Sequence, residues 1–263
     1  MLPHVNTPRP LHPYLAQPPL AFAHRGGAAE GDENTADAFA RSVAAGYRYV
    51  ETDVHATRDG VAVVLHDPDL RRVAGEPVAV ASVTWQDLAS VRVGGAAAVP
   101  RLDEVLDAWP EIRFNIDVKD DRAVEPTVAV VRARATPDQV LLASFSDARL
   151  RRVRELAGPA YATSLAQKET ARLWLASRFG GRVKLPPSVV AAQVPVRFGA
   201  VRVVDRRFVA HAHRLGLQVH VWTIDDPAEM AGLLDLGVDG IMTDRIDVLR
   251  EVFVDRGLWK DHP

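Results

Sequence analysis

Glu51 and Asp53 stand two residues apart in Tyr49-Val50-Glu51-Thr52-Asp53-Val54, a β-branched and aromatic run that reads as a buried strand. Residues two apart on a strand share a face. Two carboxylates on one buried face repel each other and lose hydration. They persist there with a proton, a cationic side chain or a metal ion between them. Thr57-Arg58-Asp59-Gly60 then makes a turn, and Val61 to Leu65 returns as a second apolar strand that ends in His66-Asp67. The hairpin carries an imidazole back to roughly the level of the carboxylates. An acidic pair with an imidazole beside it suits hydrolytic chemistry. On the hairpin alone, solvated acids and a structural histidine explain the same residues equally well.

The neighbours add weight. Ile112 to Lys119 reads as a strand with Asn115, Asp117 and Lys119 on one face. Glu51, Asp53 and Asp117 are hard oxygen donors, which suit Mg²⁺, Ca²⁺ or Mn²⁺ better than zinc. Positive charge in this chain rests mostly on arginine; the lysines are Lys119, Lys168, Lys184 and Lys260. Lys119 alone falls where a barrel strand is expected to end, and a compact ammonium there pairs with an anionic oxygen. A plain salt bridge between Lys119 and a neighbouring acid competes with that role and does not exclude it. His24 and His66 are the candidate proton-transfer pair, because imidazole titrates near neutral pH. Arg25 is placed to hold a phosphate by paired hydrogen bonds. Together these groups make a site for an anionic phosphodiester. Trp222 is near the end of a strand and shares a face with His220; such a residue is more often core, but at a strand end it is expected to line the substrate site. His4, His12, His55, His211, His213, His220 and His262 are expected to be structural or exposed, with His55 turned away from Asp53 if its strand runs unbroken.

These residues need elements to carry them. Apolar strands end near His24, Asp53, Lys119, Phe145, Ser164, Pro195, Ile224 and Asp244, each followed by a helical pattern. Set apart from the protruding hairpin, this is the alternation of an α/β (β/α)₈ TIM barrel. An open doubly wound sheet is the fallback, weakened by the lack of a glycine-rich nucleotide loop. Asn34 reads as the N-cap of a helix over Ala36 to Ala45. The domain spans 20–256, with a small insertion after the second strand at 68–99. Residues 1–19 form a Pro-rich arm expected to lie extended on the surface, and 257–263 form a C-terminal tail. Barrel chemistry gathers at the C-terminal strand ends, where His24, Arg25, Glu51, Asp53, Asp117 and Lys119 are expected.

The chain of 263 residues has no cysteine, which excludes disulfides and thiolate ligands. A formal net charge of −2 gives no footprint for nucleic acid and no global pull toward an anionic membrane, while leaving room for a local basic patch. No apolar run approaches the roughly 20 residues of a membrane span. The first residues lack a basic start and an apolar stretch, so a cytoplasmic location is expected.

The order of His24-Arg25-Gly26, Glu33-Asn34-Thr35, Glu51-Thr52-Asp53-Val54, Thr57-Arg58-Asp59-Gly60, His66-Asp67, Asp117-Val118-Lys119, Val221-Trp222-Thr223 and Thr243-Asp244 resembles the glycerophosphodiester phosphodiesterase family over residues 20–256. The resemblance implies a (β/α)₈ barrel with an insertion after the second strand, and a divalent cation, Mg²⁺ or Ca²⁺, on Glu51, Asp53 and Asp117. It implies His24 and His66 as catalytic acid and base, with Arg25 and Lys119 on the phosphate. The chain departs from the family at Asp117, where Glu is common, and at Arg245-Ile246, where a proline-containing turn is usual. The expected activity is metal-dependent cleavage of a small-molecule glycerophosphodiester to glycerol 3-phosphate and an alcohol. A lysophospholipase D-type activity on single-chain lipids, or a non-catalytic phosphodiester-binding barrel, are the alternatives. The head group, the metal and the oligomeric state stay open.

Overall fold

Short runs of Val, Leu, Ile and Ala recur along the chain with too little polar alternation for a sheet that faces water. Such strands are stable when covered on both faces, the condition of parallel strands under crossover helices. The computed structural model, which describes residues 11–181 and 183–259, has this form. Its barrel strands are β1 (Leu20–Ala23), β2 (Tyr49–Ala56), β3 (Arg113–Val118), β4 (Val140–Ala143), β5 (Ala162–Ser164), β6 (Val189–Pro195), β7 (Gln218–Trp222) and β8 (Gly240–Thr243). Each pairs in parallel with the next, and β1 pairs with both β8 and β2. The sheet therefore closes, and the doubly wound alternative falls away. The helices that follow are α1 (Ala36–Ala44), α2 (Leu102–Ala108), α3 (Val124–Arg134), α4 (Asp147–Ala157), α5 (Gln167–Phe179), α6 (Arg206–Arg214), α7 (Pro227–Leu236) and α8 (Ile246–Asp255).

Alternation along the strands sorts the side chains. Leu20, Phe22, Tyr49, Leu141 and Met242 pack inside the barrel. Ala23, Val50, Val54, Ile116 and Leu142 belong to the larger cluster that meets the helices. The interior also holds a polar layer: Gln193 donates to Asn115 at 3.2 Å and meets His220 at 3.3 Å, and His220 meets Gln218 at 3.0 Å. Gly240 makes room for this layer, since a Cβ there would stand 2.8 Å from the His220 ring and 2.9 Å from Phe22.

Two expectations need correction. Residues 1–10 of the arm, with Pro3, Pro8, Pro10 and His4, lie outside the described residues, as do 260–263 of the tail with Lys260 and His262. The described part of the arm does not simply lie on the surface. Tyr14 is fully buried in the interior cluster and sets its ring edge-on to Tyr49 at 5.5 Å. The Tyr49 hydroxyl donates to the Tyr14 carbonyl and accepts from the Ala16 amide, each at 2.9 Å. Nor is the arm simply extended: the Leu15 amide bonds the His12 carbonyl at 2.8 Å around a turn at 13–14. Helix α1 is capped by Thr35, whose hydroxyl accepts from the Ala38 amide, not by Asn34.

The insertion carries short helices at Arg71–Ala74 and Trp85–Leu88 and a small antiparallel pair, Arg92–Val93 with Ala97–Ala98. Leu70, Val80, Leu88, Val93 and Val99 give it a small core shared with Val63 and Leu65 of the hairpin.

Candidate active site

The strand ends assemble the acids first. Asp53 on β2 is in direct register with Asp117 on β3, and Glu51 with Asn115. All three carboxylates are buried. Lys119, just past β3, places its ammonium between two of them, 2.7 Å from Asp53 Oδ1 and 2.8 Å from Asp117 Oδ2. The expected salt bridge is therefore present. Burial works against its charge, but Asp117, Asp53 and Glu51 outweigh it and hold the ammonium firmly protonated.

Arg25 follows β1 with a backbone φ of 51°, a left-handed setting that costs a non-glycine residue roughly 1–2 kcal/mol. That turn aims its amide at Glu51 Oε2 at 3.2 Å and brings its Nε to 3.1 Å from Asp53 Oδ2. Gly26, at φ 82°, completes the turn, and a Cβ there would meet Phe39 at 2.7 Å.

The two histidines arrive from different directions with the same dressing. His24 Nδ1 lies 2.7 Å from Asp244 Oδ1 beyond β8, and its Nε2 lies 3.7 Å from Glu51 Oε2. His66 is delivered by the antiparallel strand Ala62–Val64, and the Leu65 amide before it bonds the Asp53 carbonyl at 3.0 Å. Its Nδ1 lies 2.6 Å from Asp67 Oδ1. A carboxylate on Nδ1 fixes the ring tautomer and leaves Nε2 to exchange a proton. Burial disfavours the charged form of His24, but Glu51 and Asp244 together raise its affinity for a proton. Burial, helped by Lys119, lowers that of His66.

Trp222 ends β7 half-buried and meets the exposed Phe145 edge-on at 5.5 Å; Lys119 lies 5.8 Å over the Phe145 ring. Every residue expected at the site thus stands on the C-terminal side of the barrel, joined to its neighbours by the contacts above.

Other residues complete it. Asn34, buried at φ 58°, donates to Asp53 Oδ2 at 2.9 Å and accepts from the Thr52 hydroxyl at 2.8 Å. Arg72 of the insertion bonds Asp67 at 2.6 Å and both Glu33 oxygens at 2.7 Å, and Glu33 in turn accepts from Arg25 at 3.1 Å. This chain of charges links the segments that carry the two histidines. His55 does not turn away from Asp53. Its strand runs unbroken through Ala56, so the two share a face. His55 lies 2.7 Å from Asp120 and 3.1 Å from the His66 carbonyl, and so braces the segment bearing the other imidazole.

The acids fit a hard cation by donor chemistry. Asp117 Oδ1 is buried without a hydrogen-bond partner. Burial pushes the Glu51 carboxyl up, and the Asp53 charge adds to that push. Asp117 is also raised by burial, more than Lys119 offsets. Asp53, though buried, is held below the usual carboxylate range by Lys119 and Arg25. The raised Glu51 and Asp117 carboxyls are the ones that gain from added positive charge. Among the described residues no three acids or imidazoles already stand as a formed cation cage.

A closed barrel with buried acids, cations and two carboxylate-held imidazoles at its C-terminal mouth defines a hydrolase-type site for an anionic substrate. The family model described as "Glycerophosphoryl diester phosphodiesterase family" matches residues 24–248. The "Probable glycerophosphodiester phosphodiesterase 2" of Mycobacterium tuberculosis is 41% identical over 245 residues, 91% of this chain and 92% of its own length. The glycerophosphodiester phosphodiesterase of Agrobacterium tumefaciens shares the fold with a TM-score of 0.73 at 22% identity, over 89% of this chain and 99% of that one. So does an Oleispira antarctica phosphodiesterase solved in complex with the product sn-glycerol-3-phosphate, with a TM-score of 0.75 at 20% identity over 90% and 97% of the two chains. The chain belongs to the glycerophosphoryl diester phosphodiesterase family and is an enzyme of that class.

Proposed function

We propose that this enzyme hydrolyses glycerophosphodiesters to glycerol 3-phosphate and an alcohol by proton transfer between His24 and His66. The observation that carries it is the matched pair of His–Asp dyads, His24–Asp244 and His66–Asp67, on either flank of Glu51, Asp53 and Lys119. In His24 the nitrogen left by its dyad, Nε2, stands 3.7 Å from Glu51 Oε2, at the buried acids. The product held by the Oleispira antarctica phosphodiesterase supports the choice of substrate.

Arg25 and Lys119 bind the phosphoryl oxygens and hold the phosphorus between the imidazoles. One histidine takes the proton of the attacking hydroxyl, from water or from the glycerol 2-OH. The P–O bond to the alcohol breaks, and the other histidine protonates the departing oxygen. If the 2-OH attacks, water opens the cyclic phosphate with the proton roles reversed. Glu51, Asp53 and Asp117 would hold a divalent cation, Mg²⁺, Ca²⁺ or Mn²⁺, which supplies positive charge to the phosphoryl oxygens when bound.

A lysophospholipase D-type activity is favoured by one observation, the exposed Phe145 against Trp222 beside Lys119. That apolar wall suits an acyl chain as well as a glycerol backbone. Parallel assays on glycerophosphocholine and lysophosphatidylcholine separate the two. Release of choline and glycerol 3-phosphate from the first at the higher kcat/KM is the expected result. Preference for the second reassigns the substrate.

A further inference from the structure

We propose that the segment around the end of α5 and the loop after β6 is a docking surface for an anionic lipid bilayer, set beside the barrel mouth. Four large apolar side chains stand out into solvent there: Phe179 at 82%, Phe198 at 66%, Leu175 at 50% and Val201 at 44% exposure. Leu175 and Phe179 lie one helical turn apart on α5. Phe198 and Val201 face each other in a small antiparallel hairpin, Arg197–Phe198 with Val201–Arg202. The two pieces are joined. Trp174 Nε1 and Arg178 Nη2 both donate to the Arg202 carbonyl, at 3.0 and 3.3 Å, and Arg178 stacks 4.0 Å from the Trp174 ring. Each exposed side chain lies within a few residues of that joint. Phenylalanine and valine carry no polar group to justify such exposure, and clustered exposed apolar surface marks an interaction site.

Charge identifies the partner. Residues 168–214 hold ten Lys and Arg against two acids, in a chain whose net charge is −2. Both acids are already engaged: Glu169 with Arg154 and Asp205 with Arg178, each at 2.7 Å. Arg197, Arg202, Arg206 and Arg207 are exposed, and among the described residues the first two bond only backbone carbonyls, of Ala200 and Val204. Among the described residues these four form no ion pair. Apolar tips with arginines on the same and adjoining elements are complementary to a bilayer with anionic head groups: the tips enter the acyl boundary and the arginines stay at the phosphates. A second copy of the chain fits poorly, because a self-paired face would bring like charges together.

Position adds a consequence. Pro195, at the end of β6, is in register with Trp222, and the hairpin begins two residues later. Docking would therefore hold the barrel mouth against the membrane. The inference concerns how the protein meets lipid and does not depend on which diester it cleaves.

Vesicle co-sedimentation tests it, using phosphatidylcholine vesicles with and without phosphatidylglycerol. The full chain is expected to bind the phosphatidylglycerol vesicles, to leave pure phosphatidylcholine in solution, and to be released by salt. The double variant Phe179→Ser/Phe198→Ser is expected to bind at least about tenfold more weakly. Its circular dichroism melt should match the wild type, because both side chains face solvent. Any of the following results would overturn the proposal. One is no binding to phosphatidylglycerol, or binding the double variant retains. Another is tighter capture of DNA than of vesicles. The third is a dimer in light scattering that the double variant abolishes, which would make the face a contact between copies.

Discussion

At the scale of single residues, the site divides into groups that would meet substrate and groups that hold them. His24→Ala and His66→Ala should each lower kcat about 10²–10⁴-fold, the ordinary worth of a positioned acid or base, with KM little changed. Steady-state kinetics on glycerophosphocholine would check it. Asn34 is a different case. It satisfies Thr52 and Asp53 in a buried setting, so Asn34→Ala should destabilise the fold by about 1–3 kcal/mol, measurable by urea unfolding. His24, Glu51, Asp53, His66, Asp117 and Lys119 were legible in the sequence because their side chains announce charge or titration and fall at strand ends. Asn34 was not: an Asn before a helix reads as a cap, and only the left-handed backbone at φ 58° turns it toward the acids. Arg72 was hidden for another reason. It reaches Asp67 and Glu33 from an insertion without periodicity, so no spacing rule connects them.

At the scale of elements, strand pairing does the positioning. The hairpin sets His66 one residue past the Leu65 amide that bonds the Asp53 carbonyl, and the β2–β3 register sets Asp53 against Asp117. Two-residue alternation gave the shared faces, and the hairpin gave the rough level of His66, but the register that sets Asp53 against Asp117 came only with the paired strands. The packing of the arm was not legible either, since it depends on a partner, Tyr49, that lies far along the chain. Tyr14→Ala would leave a large void in the interior cluster. It should cost about 3–5 kcal/mol, as loss of a buried aromatic ring does, and appear as a lower melting temperature. The polar interior layer gives a pH signature. His220 is fully buried, and burial pulls its pKa from 6.5 down to about 4. The fold thus favours the neutral ring. Its contribution is complete above the unfolded value of 6.5 and is lost as pH falls from there through about 4. The loss should approach about 3 kcal/mol. Urea titrations across that range should show a steeper acid decline for the wild type than for His220→Gln, which has no proton to take up.

At the scale of the whole molecule, closure of the barrel brings the first strand and the last together. Only that closure puts Asp244, beyond β8, on the imidazole of His24, which follows β1. It also sets cations and acids from three strand ends within one cluster. The gathered carboxylates, and with them the cation they are proposed to hold, can be tested in one titration. Calorimetry with Ca²⁺ or Mg²⁺ on chelator-treated protein should show one site in the wild type, lost or at least about tenfold weaker in Glu51→Gln. Glycerophosphocholine turnover should disappear in chelator and return with the cation. Full turnover in chelator, or cation binding untouched by Glu51→Gln, would contradict a site built on these three acids.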